Sequence, residues 1–134
     1  MRPVSALLAS LLALSATAAP HAAPVTTGSG LVYETITEGQ GDAPKAGDTV
    51  QVHYKGMFAD GKVFDSSHQR GEPTEFPLNR VIPCWTEGLQ KMKVGGKARL
   101  TCPPAIAYGA RGAGGVIPPN ATLTFEVELL AVKR

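Results

Sequence analysis

Strict alternation of apolar and polar residues constrains this 134-residue chain more than any other feature of its sequence. Over residues 123–129, leucine, phenylalanine and valine occupy every second position, with threonine and glutamate between them. Residues 50–55 and 97–102 alternate in the same way. A period of two places alternate side chains on opposite faces of an extended strand. Each segment is therefore predicted to be a β-strand with one apolar face.

Two further strands are predicted from composition and turn signals. Residues 31–36 are rich in β-branched and aromatic side chains and end at a glycine-containing turn. Residues 63–64 follow the dipeptide Asp60-Gly61, which is typical of a hairpin.

One segment has helical periodicity. Pro83 suits the first position of a helix, and Trp85, Leu89 and Met92 then recur on one helical face before a Gly-Gly pair. About five antiparallel strands and one short α-helix predict an α+β fold, in which the helix packs on the apolar face of the sheet.

The N-terminus has the features of a secretory signal peptide. Arg2 precedes an apolar run over residues 4–14, which is too short to span a bilayer and is followed by small residues. A buried helix is the weaker interpretation, because the run has no polar face and prolines follow it. Residues 1–18 are predicted to be a signal peptide cleaved near Ala18, and residues 19–30 a flexible leader. The mature protein is expected to be periplasmic or secreted.

Charge and motif spacing exclude several function classes. The chain has 13 Lys and Arg against 11 Asp and Glu, without a basic cluster, so neither nucleic acid nor a membrane surface is an expected partner. Ser66 and Ser67 lie beside an aspartate and a histidine, but no G-x-S-x-G elbow frames them and a triad assembles through space. The three histidines lack metal-ligand spacing. No metal or other cofactor is expected.

The predicted export decides how the two cysteines, Cys84 and Cys102, are interpreted. An even number of cysteines in an oxidising compartment favours a disulfide. Two buried free thiols that act as small apolar side chains are the alternative.

Aromatic residues make up only 6% of the chain, yet six of them are spread along the predicted domain beside the aliphatic pair Val81-Ile82. Any one of them fits an ordinary core. As a set they fit an apolar cavity with a few polar groups at its rim. The six are Tyr54, Phe64, Phe76, Trp85, Tyr108 and Phe125.

Five ordered blocks of sequence resemble the signature of the FKBP-type peptidyl-prolyl cis-trans isomerases. The similarity extends from about Leu31 to Val132, and residues 31–134 are expected to form the isomerase domain. The exported bacterial forms related to macrophage infectivity potentiators look most similar. The blocks are VHYKGM (52–57), DGKVFDSS (60–67), VIPCWTEG (81–88), AYG (107–109) and IPPNATLTF (117–125).

The resemblance implies a twisted antiparallel sheet that curls around the short helix, with a pocket whose floor is Trp85. It implies Tyr54, Asp65 and Tyr108 as catalytic residues, with the Tyr108 hydroxyl offered to a substrate carbonyl. It also implies a set of substrate-binding residues: Phe64, Arg70, Phe76, Val81, Ile82, Trp85, Ile117 and Phe125. The expected partners are proline-containing polypeptides and macrolide inhibitors of the FK-506 type.

Three positions depart from the family pattern. Thr74 stands where the family often has an aromatic residue, and Ala113 where it frequently has histidine, so both bear on substrate preference. Cys84 stands at a position that is commonly glycine.

The function expected from the resemblance is acceleration of rotation about X–Pro bonds, which would assist the folding of exported proteins. A non-catalytic proline-binding module or holdase is the alternative. The leader before Leu31 is shorter than the helical dimerisation arm of longer relatives, so a monomer is expected.

Overall fold

The computed structural model describes residues 23–134, so the predicted signal peptide and the first residues of the leader lie outside the described part. Within residues 23–134, seven strands form one antiparallel sheet in the order β1-β2-β6-β7-β3-β4, and β5 pairs with the first half of β3. The strands are β1 (Val25–Thr26), β2 (Val32–Thr37), β3 (Thr49–Phe58), β4 (Val63–Ser66), β5 (Thr74–Pro77), β6 (Lys97–Cys102) and β7 (Leu123–Lys133).

The helical segments are short. The main helix α2 (Pro83–Leu89) begins at the predicted proline, and a single turn α1 (Ser67–Arg70) follows β4 directly. Two 3-10 turns, Leu78–Arg80 and Pro104–Ile106, precede α2 and follow β6 respectively.

The centre of the sheet is the pair β3 and β7, which run antiparallel from Thr49 opposite Lys133 to Phe58 opposite Leu123, with one bulge near Gln51. The predicted alternation is confirmed along β3, β6 and β7, where buried residues occupy every second position. One face of the sheet therefore supplies most of the apolar core.

Helix α2 packs on this apolar face through Cys84, Trp85 and Leu89. Gly88 makes the approach possible, because a Cβ atom there would lie 2.9 Å from both Cδ atoms of Leu100 on β6. The helix and the sheet are thus so close at this point that a larger side chain would have to displace the Leu100 side chain.

The α+β prediction is confirmed, but the sheet contains two more strands than the pattern indicated. Strand β1 lies within the segment expected to be a flexible leader, where Val25 pairs with Tyr33 of β2. Strand β5 follows Pro73, ends at Pro77 and is too short for alternation to be recognised. Both strands owe their conformation to the partner strand rather than to a periodic sequence of their own.

Helix α2 ends at Leu89, one turn earlier than the predicted apolar stripe. The backbone N–H groups of Lys91 and Met92 donate to the carbonyl groups of Gly88 and Leu89, three residues back. This tighter turn keeps Met92 at 3% exposure, so its predicted place in the core is confirmed although the helix has already ended.

Cys84 at the start of α2 and Cys102 at the end of β6 are joined by a disulfide, with their Cα atoms 5.9 Å apart. Both residues are fully buried. The bond links the beginning of the helix to the sheet across a sequence separation of 18 residues.

Removing this cross-link in the double variant Cys84→Ala/Cys102→Ala is expected to lower the free energy of unfolding by about 3 kcal/mol, because the unfolded chain regains the entropy of an open loop. Urea denaturation of the wild-type protein and the double variant measures the difference. A reductant should lower the wild-type midpoint and leave the midpoint of the variant unchanged. Equal midpoints for the oxidised protein and the variant would contradict the prediction.

Candidate functional site

A cavity of about 420 Å³ opens above the buried face of α2. Its lining comes from four strands, from α2 and from the loops around them. Nine of its ten lining residues belong to the set that the sequence predicted, and Arg80 is the tenth. The ten are Tyr54, Phe64, Asp65, Phe76, Arg80, Val81, Ile82, Trp85, Tyr108 and Phe125.

Trp85 forms the floor of this cavity. Its indole packs edge-to-face against Tyr54, Phe76 and Phe125, with ring centroids 5.3, 5.3 and 5.4 Å away and interplanar angles of 84°, 82° and 89°. Only 4% of the residue is exposed, and its Nε1–H has no hydrogen-bond partner within residues 23–134. Three perpendicular rings therefore fix the indole plane from three sides.

A second set of rings continues the wall. Phe64 packs edge-to-face on Phe125 at 5.9 Å and contacts the tilted ring of Phe58 at 4.8 Å. Gly56 on β3 leaves room for them, because a Cβ atom there would lie 2.7 Å from Phe64 Cζ and 3.0 Å from Phe125 Cε1. The glycine of the block VHYKGM thus has a packing role in the wall.

The polar edge of the cavity is a network around Asp65. The Tyr54 hydroxyl donates to Asp65 Oδ2 at 2.5 Å, and Arg70 Nη1 donates to Asp65 Oδ1 at 2.7 Å. Arg70 Nη2 also donates to the Tyr54 hydroxyl oxygen at 3.1 Å and to Thr74 Oγ1 at 3.2 Å. Both carboxylate oxygens of Asp65 therefore accept a hydrogen bond. Thr74, at the position where the family often has an aromatic residue, accepts a hydrogen bond from Arg70.

Burial, hydrogen bonding and the charge of Arg70 together set the pKa values in this network. Partial burial raises the pKa of Asp65, but the hydrogen bonds from Tyr54 and Arg70 and the charge of Arg70 outweigh that effect, so the pKa lies below 3.8. Burial, and next the hydrogen bond to Asp65, raise the pKa of Tyr54 above 10.0. At neutral pH the site holds an ionised carboxylate and a protonated phenol.

Ser67 is a structural residue behind this network. Its fully buried hydroxyl accepts the backbone N–H of Tyr54 at 2.8 Å and lies 2.8 Å from His53 Nδ1. The His53 ring in turn stacks on His68, with centroids 4.3 Å apart. Ser67 therefore ties α1 to β3.

Three of the predicted site residues, Tyr108, Arg70 and Ile117, differ in where they lie relative to the cavity. Tyr108 lines the cavity, is 40% exposed, and its hydroxyl makes no hydrogen bond within the described residues. Arg70 lies outside the lining and donates hydrogen bonds to Tyr54 and Asp65. Ile117 is not brought to this cavity. It lines a neighbouring cavity of about 460 Å³ with Phe58, where its backbone pairs with Ala113.

Among residues 23–134, no three His, Cys, Asp or Glu side chains are grouped so that they could hold a metal ion. In the same range, no helix is long and apolar enough to cross a membrane.

Residues 41–130 match the profile of the FKBP-type peptidyl-prolyl cis-trans isomerases. This chain belongs to that family. The family assignment and the α+β prediction from the sequence are both confirmed.

Curated relatives of this FKBP chain differ in length. It is 57% identical over 108 residues to the FKBP-type peptidyl-prolyl cis-trans isomerase FkpA of Escherichia coli (strain K12), covering 81% of this chain and 40% of that protein. It is 56% identical over 107 residues to the Xenopus laevis peptidyl-prolyl cis-trans isomerase FKBP1A, covering 78% of this chain and 99% of that protein. The matched region thus spans less than half of FkpA.

Solved structures support the same fold. The crystal structure of Escherichia coli FkpA superposes with a TM-score of 0.81 and 49% identity over 96% of this chain and 59% of its own. A peptidyl-prolyl cis-trans isomerase from Pseudomonas syringae superposes with a TM-score of 0.78 and 38% identity, covering all of this chain and 98% of its own.

The role of Gly56 in the FKBP cavity wall is tested by Gly56→Ala. The added methyl group is expected to displace Phe64 and Phe125, to lower stability by about 1–3 kcal/mol, and to shift the fluorescence of Trp85, the sole tryptophan of the chain. Gly47→Ala is the matched control, because its Cβ would meet no atom within 4 Å. Equal emission and stability for the two variants would show that the wall does not depend on Gly56.

The Asp65 network is tested by the pH dependence of Asp65→Asn. The depressed native pKa means that the ionised carboxylate stabilises the folded state at pH values above the unfolded-state pKa, and that this stabilisation is lost as pH falls through the native pKa. The stability difference between wild type and variant should be constant from about pH 5 to 7 and should shrink below about pH 4. Asp60→Asn, at the exposed hairpin turn, controls for loss of one negative charge. A difference that is independent of pH would contradict the network.

Proposed function

We propose that this protein is a peptidyl-prolyl cis-trans isomerase that accelerates rotation about X–Pro bonds. The observation that carries the proposal is the cavity above Trp85, which is enclosed by perpendicular aromatic rings and has one polar edge. Membership of the FKBP family supports the same activity.

The reaction requires no covalent step. Rotation about the peptide bond has a barrier of about 18–20 kcal/mol, because amide resonance is lost in the twisted state. The planar amide is more polar than the twisted amide and is better solvated by water. Transfer to an apolar cavity therefore raises the ground state relative to the transition state, and each 1.36 kcal/mol of that difference is worth about tenfold in rate.

The lining residues suggest how a prolyl peptide would bind. The proline ring would lie on the Trp85 indole between Phe76 and Phe125, with Val81 and Ile82 at the side. The free hydroxyl of Tyr108 would donate to the carbonyl that precedes proline. Asp65, held by Tyr54 and Arg70, would place a fixed negative charge next to the rotating amide.

The proposed ligands and location follow from the same features. A ring-lined cavity of this volume fits proline-containing polypeptides and the FK-506-type macrolides that the sequence resemblance implied. The apolar N-terminal run and the buried disulfide both fit an exported protein that assists folding in the periplasm or outside the cell. The proposed oligomeric state is a monomer.

Substitution of the cavity floor tests the activity. Trp85→Phe keeps an aromatic ring and removes the unpartnered indole N–H, so the variant should fold. We expect kcat/KM for a Leu-Pro peptide to fall by about tenfold, since the proline loses part of its contact surface. A protease-free isomerisation assay measures the rate, and an FK-506-type macrolide should inhibit the wild-type protein.

Tyr33→Phe is the control, because Tyr33 lies on β2 outside the cavity and its hydroxyl donates to the Lys91 carbonyl at 3.3 Å. Full activity of Trp85→Phe, or no activity of the wild-type protein on any prolyl peptide, would refute the proposal. In the second case, suppression of client aggregation by the inactive protein would favour the holdase alternative.

A further inference from the structure

Arg80 is the one cavity-lining residue that no sequence motif indicated. It ends the 3-10 turn Leu78–Arg80 and precedes the lining pair Val81-Ile82 directly. The Thr86 hydroxyl of α2 donates to the Leu78 carbonyl at 2.6 Å, which anchors this turn to the helix that carries Trp85. The backbone of Arg80 is therefore fixed relative to the cavity floor.

The charges around the cavity do not cancel. Asp65 and Arg80 are the only charged residues in the lining. The charge of Asp65 is matched by Arg70, which contacts its carboxylate, whereas Arg80 makes no hydrogen bond or ion pair within residues 23–134. On the preceding strand β5, Glu75 is paired with Lys133 and is not available to Arg80. One positive charge at the cavity is left without a counterion from the described chain.

We propose that Arg80 is a specificity determinant that favours substrates with an acidic residue next to proline. This inference rests on the isomerase function proposed above. A proline ring bound on Trp85 holds the residues before and after it beside the cavity lining. A carboxylate on one of these residues then reaches Arg80 without the entropic cost of binding as a separate molecule.

A single exposed arginine is not an anion site by itself. The acidic group must therefore belong to a residue that is bonded to the proline in the cavity. The guanidinium is exposed to solvent, so the attraction is screened by salt. A lone exposed ion pair is typically weak, which limits the expected preference to about threefold in kcat/KM. Selectivity of this size would affect the choice between clients and not the rate of the rotation step itself.

The test compares peptides that differ only in charge next to proline. One series has Glu, Gln, Lys or Leu before proline, and a second series has the same residues after it. The expected result for the wild-type protein is a kcat/KM about threefold higher for Glu than for Gln in at least one series at low salt. The ratio should approach one at about 1 M NaCl, where the screening length falls to about 3 Å.

Variants of Arg80, with a control variant of Arg111, make the test specific. Arg80→Gln should abolish the Glu/Gln preference, Arg80→Glu should reverse it in favour of Lys, and Arg80→Lys should retain it. Arg111→Gln is the matched control, because Arg111 lines the neighbouring cavity and also has no partner among the described residues. It removes the same net charge from a different place.

The outcomes separate this inference from the function on which it rests. Equal kcat/KM for Glu and Gln in both series, with normal activity on the Leu-Pro peptide, would overturn the role of Arg80 and leave the isomerase function intact. An equal loss of preference in Arg80→Gln and Arg111→Gln would also overturn it, because the effect would then come from net charge. Inactivity on all peptides would refute the isomerase function itself.

Discussion

The edge-to-face packing of three rings around the Trp85 indole is the interaction on which the site depends. Each such pair contributes on the order of 0.5–1.5 kcal/mol beyond the burial of its surface. The rings come from β3, β5 and β7, and the indole comes from α2. The same contacts therefore join the helix to the sheet and give the cavity its floor, so that stability and binding surface cannot be separated at this point of the fold.

Strand β3 organises the rest of the site. It pairs with β7 along its full length and with β4 and β5 on its other side. Tyr54 takes part in the ring cluster through its aromatic face and in the Asp65 network through its hydroxyl. Its backbone N–H is held by the buried hydroxyl of Ser67. One residue thus connects the apolar floor, the polar edge and the segment that carries Arg70.

Sequence patterns predicted what depends on local periodicity or on motif identity. These patterns predicted the alternating strands, the proline at the start of α2 and the aromatic rings of the cavity. The structure brings nine of the predicted residues into one lining. The resemblance implied Ile117 in the same pocket, whereas the structure places it in the lining of the neighbouring cavity, where its backbone pairs with Ala113. Arg80 carried no signal, because an isolated arginine after a short turn is typical of any exposed loop.

The sequence by itself determined which residues are apolar on one face, where the chain must turn, and to which family the chain belongs. Those properties follow from side-chain chemistry at fixed spacings, which folding does not alter. Only the tertiary structure decided that two residues of the expected leader become β1, that α2 ends at Leu89, and that Arg80 lies beside the rings without a counterion in the described chain. These outcomes depend on hydrogen bonds and charges contributed by residues distant in sequence, whose proximity no local pattern encodes.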